Sequence, residues 1–154
     1  MSDSTFGFKR PEDSPGLLLW QTTVTWQRLI KNALAEYAIS HPQFVIMAIL
    51  LWFTEKNENP TQIAIIRLSK LDKMTVSQSL KKLCQQGLVV RAEHEQDTRA
   101  KSVHLTGKGQ TLAAKLVKVV EKIDADFFGQ LTQNEGESLV QVLGALNHKA
   151  EAHS

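Results

Sequence analysis

Residues 72 to 106 constrain the fold most, because five structural signals follow one another there with no spare residue. Asp72 supplies an oxygen that can accept from the free N–H groups of a following helix turn. Val76, Leu80 and Leu83 then recur at i, i+4 and i+7, an apolar stripe that must face a core. At about 100° per residue the opposite face carries Met74, Thr75, Gln78, Lys81, Lys82 and Gln85, with Ser77 at its flank and no acid among them. Gly87 can end this helix in a left-handed conformation. Leu88 to Glu93 reads as a strand, with Leu88, Val90 and Ala92 on one face and Val89, Arg91 and Glu93 on the other. Residues 94 to 101 form a charged tip, Ser102 to Leu105 return as the partner strand, and Thr106 caps a new helix.

The flanking chain supplies the rest of a mainly helical protein. Residues 1 to 15 hold Ser, Asp, Gly and two prolines and read as a flexible arm. Between Gly16 and Ile39 apolar residues crowd more than one face, so this helix needs more than one neighbour, and a second subunit is a natural source. Ser40-His41-Pro42-Gln43 is a capping-box start with Pro in the first turn. The helix that follows, through Phe44, Met47 and Leu51, is the expected centre of the core. Asn59-Pro60-Thr61-Gln62 repeats the start signal for a short helix with Ile63, Ile66 and Leu68 inward, and Leu71 leads into Asp72 to complete a helix, tight turn and second helix. Beyond Thr106, the apolar series from Leu112 to Phe127 gives a long amphipathic helix that Gly129 can end. Thr132 with Glu135 then opens a last helix striped by Leu139, Val142, Leu143 and Leu146.

Charge is the one part of the composition that discriminates. Residues 1 to 60 hold five Lys/Arg against six Asp/Glu, residues 61 to 110 nine against four, and residues 111 to 154 four against six. A basic surface confined to one segment of a balanced chain is the footprint of a phosphate backbone, with a merely solvated basic face as the alternative. The ten-residue apolar run from Phe44 to Phe53 is too short for a membrane span. With no basic segment and apolar run at the N-terminus and one cysteine, a cytoplasmic location without a disulfide framework is expected.

At this point the residues carry a resemblance. Leu71-Asp72-Lys73-Met74-Thr75-Val76-Ser77, Gly87-Leu88-Val89, Asp97-Thr98-Arg99-Ala100-Lys101 and Leu105-Thr106-Gly107-Lys108-Gly109 stand in the order and spacing of the MarR family of bacterial winged-helix transcription regulators. The Asp-x-Arg followed by Leu-Thr-x-x-Gly is the most specific part, and the likeness covers roughly residues 17 to 148. One departure is Lys70, in the turn where relatives often have Gly. The resemblance implies a mainly α fold with a small β-hairpin wing, a winged helix-turn-helix with N- and C-terminal dimerisation helices. The expected division is an arm at 1–15, a dimerisation helix at 16–39, a DNA-binding domain at 40–108 and C-terminal dimerisation helices at 109–149. Within the DNA-binding domain the recognition helix falls at about 73–86 and the wing at about 88–105. The expected function is that of a sequence-specific regulator binding double-stranded DNA as a homodimer and answering to a small-molecule effector.

Thr75, Ser77 and Gln78 sit near the helix end that enters the major groove in helix-turn-helix proteins. Gln can pair bidentately with adenine and Thr can offer its methyl to thymine, whereas Lys81 and Lys82 suit phosphates. With no Arg on this helix, a site leaning toward A·T pairs is expected. In the resembled family the wing arginine, here Arg99, enters the minor groove with Asp97 bracing it. A guanidinium gains there from the enhanced negative potential of narrow A·T-rich grooves. Arg91, His94 and Lys101 are secondary candidates for phosphate contact. Trp20, Trp26, Tyr37, His41, Phe44 and Trp52 are candidate linings of an effector pocket where the first two helices approach the DNA-binding unit, although aromatics at helical spacing more often belong to a core.

The remaining chemistry is sparse. Cys84, beside the apolar stripe and near Lys81 and Lys82, invites a redox role, with a buried structural cysteine as the simpler reading. The five histidines lack a metal-ligand spacing, and no Gly-rich phosphate loop, Ser-x-x-Lys or nucleophile elbow is present, so neither metal, cofactor nor enzymatic activity is expected. The competing class is a winged-helix protein-interaction module, but a protein partner would impose no rule against acids on the outer helix face.

Overall fold

The computed structural model describes residues 4–93 and 101–152. After a single 3-10 turn at Pro11–Asp13 come α1 (Pro15–Ala35), α2 (His41–Glu55), α3 (Gln62–Ser69) and α4 (Lys73–Gln85). The hairpin strands β1 (Val89–Glu93) and β2 (Lys101–Leu105) follow, then α5 (Gly107–Phe128) and α6 (Gln133–Ala152). The chain divides into two compact units, Met1–Val119 and Val120–Ser154.

The first unit is built around α2, which packs against α1, α3, α4 and β2. Ile46, Met47 and Leu50 of α2 are buried with Ile30 and Leu34 of α1 and with Val76, Leu80 and Leu83 of α4. Each fully buried side chain of the α4 stripe contributes about 1.5–3 kcal/mol. That outweighs the weak helix propensity of the Thr, Val and Ser residues that α4 also contains.

The helix starts follow local chemistry. Ser14, Thr61 and Asp72 each accept from a backbone N–H three residues on, and Ser40 and Gln43 complete a reciprocal capping box. The helix ends are less obvious. Left-handed residues terminate α1 to α4 at Ala38, Asn57, Lys70 and Gly87, and only the last is glycine. After α1, the Ile39 N–H reaches the Leu34 carbonyl and the Ala38 N–H the Ala35 carbonyl, a Schellman arrangement that buries Ile39. Lys70, at φ 60°, thus makes the left-handed turn that glycine would make more cheaply.

The antiparallel register pairs Val89 with Leu105, Arg91 with Val103 and Glu93 with Lys101. Val89, Val103 and Leu105 are buried and Val90 is exposed. Leu88 is also buried, not as part of the ladder but as the residue that closes α4, its N–H on the Leu83 carbonyl. The other edge of β2 meets the start of α3: the Val103 N–H donates to the Pro60 carbonyl at 2.9 Å, and Thr61 bridges to Ser102.

The inward face of α3 differs from expectation. Ile65 is fully buried, whereas Ile63 and Leu68 are 60% and 54% exposed and Ile66 is half-buried. Stitching Thr61 to β2 fixes the helix rotation so that Thr61, Ile65 and Ser69, at i, i+4 and i+8, point to the core. Two of those three positions are polar, which hid the face in the sequence.

Candidate nucleic-acid interface

The first turn of α4 is locked by Asp72. Its Oδ1 accepts the Thr75 N–H and its Oδ2 the Thr75 hydroxyl, both at 2.8 Å. These two bonds hold the Asp72 carboxyl below its usual range, the backbone bond being the larger cause. The Thr75 hydroxyl proton is thereby committed, which leaves its methyl and the lone pairs of its oxygen for any external partner. Gln78, one turn on, is exposed, and Lys73, Lys81 and Lys82 are exposed beside it. Met74 is 69% exposed in the same first turn.

Ser77 is half-buried, and its carbonyl accepts from Arg91 Nη2 at 3.3 Å. This bond ties β1 to the middle of α4. Between the two elements lies a cleft of about 550 Å³ lined by Ser77, Lys81, Cys84, Gln85 and Arg91 among others. Cys84 is half-buried along this wall. His94, Asp97 and Arg99 lie outside the described residues, and Lys101 opens β2 opposite Glu93. Among the described residues from 61 to 110, eight Lys/Arg stand against two Asp/Glu, so the positive character seen in the sequence belongs to this helix-turn-helix and wing.

A second concavity lies behind α4. A groove of about 810 Å³ is bounded by α1, the α1–α2 corner and the C-terminal end of α4. Arg28 and Lys31 line it with Lys82, which therefore faces this groove as well as solvent; Val24, Ala35, Ile39 and Pro42 supply apolar wall, and none of the thirteen lining residues is acidic. Of the six aromatics singled out by sequence, His41 lines this groove, and Trp26 meets His41 edge-on at 5.3 Å. Tyr37 lies under the Lys115 ammonium at 5.2 Å, Phe44 is buried in the core, and Trp20 and Trp52 are exposed, Trp52 beneath Lys56 at 4.7 Å. Sequence reasoning missed Arg28, Lys31 and Gln86 as groove residues. Gln43 carried a signal only as a helix cap.

Among the described residues no group of three His, Cys, Asp or Glu could hold a metal ion, and no helix is long and apolar enough to cross a membrane. A helix-turn-helix whose second helix presents an acid-free polar face, followed by a two-stranded hairpin carrying further basic residues, defines a winged-helix DNA-binding protein.

Comparison with known proteins agrees. Residues 35–122 match the ArnR1-like, winged-helix domain family. Over 128 residues the chain is 35% identical to the uncharacterized HTH-type transcriptional regulator YdcH of Bacillus subtilis (strain 168), covering 83% of this chain and 87% of that one. The fold is similar to that of the Staphylococcus aureus MepR–DNA complex, with a TM-score of 0.78 at 20% identity over 88% of this chain and 98% of that one. It is also similar to apo MarR from E. coli, with a TM-score of 0.68 at 20% identity over 86% and 96%. The chain belongs to the MarR family of winged-helix transcription regulators, and it is a DNA-binding regulator.

Proposed function

We propose that this regulator binds an inverted-repeat operator as a homodimer and that a small anionic effector controls its affinity. The observation that carries the DNA part is the outer face of α4, where exposed Gln78 and half-buried Thr75 and Ser77 stand beside exposed Lys73 and Lys81 with no acid on the helix. Gln78 reads an adenine, the Thr75 methyl meets a thymine, and Lys81, Lys82, Arg91 and Lys101 neutralise phosphates. Arg99 with Asp97, and His94, lie outside the described residues; the first two are assigned to minor-groove contact and His94 to a phosphate. This assignment rests on the family likeness.

Two subunits follow from uncovered apolar surface. Leu18, Leu19, Trp20 and Leu29 of α1 are each more than 40% exposed, and in the second unit Val140, Val142 and Leu146 of α6 are each more than 55% exposed. Apolar faces of this kind mark an interface, and a twofold dimer is the simplest closed solution. Its two α4 helices would then read successive major grooves about 34 Å apart.

The effector reading rests on the groove behind α4. Arg28, Lys31 and Lys82 converge there above an apolar wall with no competing acid, a combination suited to a carboxylate on a small apolar body.

The test is a titration of the purified protein against an A·T-rich inverted repeat and a scrambled duplex of equal composition at two salt concentrations. Selective binding that falls steeply with salt is the expected result. Equal, weak binding of both duplexes, together with failure to enrich any genomic fragment, would remove operator recognition from the reading.

A further inference from the structure

Gln86, immediately after the last residue of α4, is the point at which the recognition helix is tied to the rest of the unit. Its Oε1 accepts from Gln43 Nε2 at 3.0 Å, and its own Nε2 donates to the Ala38 carbonyl at 3.1 Å. Its backbone carbonyl accepts from the Lys108 ammonium at 3.3 Å, and its backbone N–H closes α4 on the Lys82 carbonyl. One residue thus joins the end of α4 to the α1–α2 corner, to α2 and to the start of α5.

The side-chain chain of bonds has a fixed polarity. Gln43 is 2% exposed, and its Oε1 accepts the Ser40 N–H at 2.8 Å. Because a backbone N–H can only donate, the Gln43 amide must present its Nε2 toward Gln86. Gln86 must then offer its oxygen to Gln43 and its nitrogen to Ala38. Ala38 takes φ 56°, which aims the carbonyl of a strained corner at that nitrogen. Reversing either amide would break two bonds, so the relay holds α4 in one position relative to α1 and α2.

The same atoms are wall of the basic groove. Ala38, Ser40, Gln43, Lys82 and Gln86 all line it. A carboxylate drawn in by Arg28, Lys31 and Lys82 is a stronger acceptor for the Gln86 Nε2–H than the Ala38 carbonyl is. Occupation of the groove and closure of the relay therefore compete.

We propose that Gln86 is the positioning residue through which the groove acts on DNA, its amide bonds to Gln43 and Ala38 holding α4 in register until an anionic occupant draws the Nε2–H away from Ala38. The proposal rests on the effector reading of the groove. Gln86 touches no DNA itself, so its effect must appear as a change in sequence discrimination and in the link between ligand and DNA rather than as lost phosphate contact.

The probe is benzoate, the simplest carboxylate with an apolar body, and the variant is Gln86→Met, which keeps length and shape and removes both side-chain bonds. In the wild type, saturating benzoate is expected to weaken operator binding by a factor on the order of 5 to 50, and operator to weaken benzoate binding by the same factor. In Gln86→Met, benzoate still binds, measured by calorimetry, but that factor falls to about 1, and without benzoate the ratio of operator to random-duplex affinity falls severalfold while random-duplex affinity holds. Gln86→Glu, which keeps the acceptor for Gln43 and loses the donor to Ala38, is expected to lie between the two and serves if Gln86→Met unfolds. Undiminished coupling in a folded variant that still binds benzoate overturns the relay and leaves the groove reading standing. If benzoate binding is absent from the wild type, or is unchanged in Arg28→Ala, the groove reading falls. The relay is then decided by discrimination alone: loss confined to operator supports it, and equal loss on both duplexes overturns it.

Discussion

Two glycines two residues apart should answer oppositely to the same substitution. A Cβ on Gly109 would collide with the Leu88 carbonyl oxygen and lie 3.2 Å from the Leu105 side chain, whereas one on Gly107 meets nothing within 4 Å. The Leu88 carbonyl cannot simply yield, because it accepts the Thr106 N–H at 3.0 Å. Thr106 in turn donates its hydroxyl to the Gly87 carbonyl at 2.7 Å and accepts the Gly109 N–H at 3.0 Å. Gly109→Ala must therefore push α5 away from the base of the hairpin. Overpacking of this kind costs about 1–3 kcal/mol, and loss of one backbone bond adds about 0.5–1.5 kcal/mol. The sum, about 1.5–4.5 kcal/mol, corresponds to a fall in Tm on the order of 10 °C for a domain of this size. Gly107→Ala, in the first turn of α5 and in open space, should be neutral or stabilising by up to about 1 kcal/mol. The assay is thermal and urea unfolding of both variants beside the wild type. Equal stability of the two would refute the claim that close approach of α5 to Leu88 is why glycine stands at 109.

Three further predictions bear on the DNA-binding unit. Gln78→Ala should cost about 1–3 kcal/mol of operator affinity and relax preference at one base pair, and equal weakening on specific and random duplexes would show that Gln78 reads no base. Lys70→Gly should relieve about 1 kcal/mol of left-handed strain, offset in part by the greater freedom of the unfolded chain, so urea unfolding should show a net gain with no change in helix content. Because Asp72 and Glu135 both sit below their ordinary values in the folded state, through bonds from Thr75 and Thr132, the stability they contribute is present above pH 4 to 5 and is lost as pH falls through the lowered folded values. Asp72→Asn keeps a capping oxygen and should flatten the part of that acid dependence belonging to the first unit. An unchanged acid profile would detach Asp72 from it.

Legibility in the sequence tracked the range of the interaction responsible. The α4 stripe of Val76, Leu80 and Leu83, the Ser40–Gln43 capping box and the stop at Gly87 are all set by neighbours within one or two helix turns, and all could be read directly. The ends of α1 and α3 could not, because Ala38 and Lys70 adopt left-handed backbone without the glycine that advertises it, held by surroundings the sequence does not display. The buried face of α3 was hidden for a related reason: its rotation is set by pairing of Thr61 with Ser102, forty-one residues away. The polar outer face of α4 was legible as a candidate DNA surface because exposure follows from the opposite stripe. The basic groove was not, since Arg28, Lys31 and Lys82 come together only once the α1–α2 corner has formed. The Gln86 bonds to Gln43 and Ala38 span 43 and 48 residues, and no local pattern announces them.

The placement of these ties along α4 has a mechanical consequence. The helix has 13 residues and is therefore about 20 Å long. Its C-terminal end is bonded to three other elements through Gln86, and its middle to β1 through Ser77, whereas its first turn is closed chiefly on itself through Asp72 and Thr75. A tilt of only about 5° at the anchored end moves the free end of a 20 Å rod by roughly 1.7 Å. Gln78, roughly 10 Å from the anchored end, moves by about 0.9 Å, still more than the roughly 2.7–3.2 Å window of donor–acceptor distances absorbs, so a bidentate bond to a base edge would be lost. Phosphate attraction, which falls off over about a Debye length of 8–10 Å, would barely notice it. A perturbation behind the helix should thus erase sequence preference before it erases DNA affinity, lowering the salt slope only by the share of Lys82 where an anion engages it while the operator and random duplexes converge.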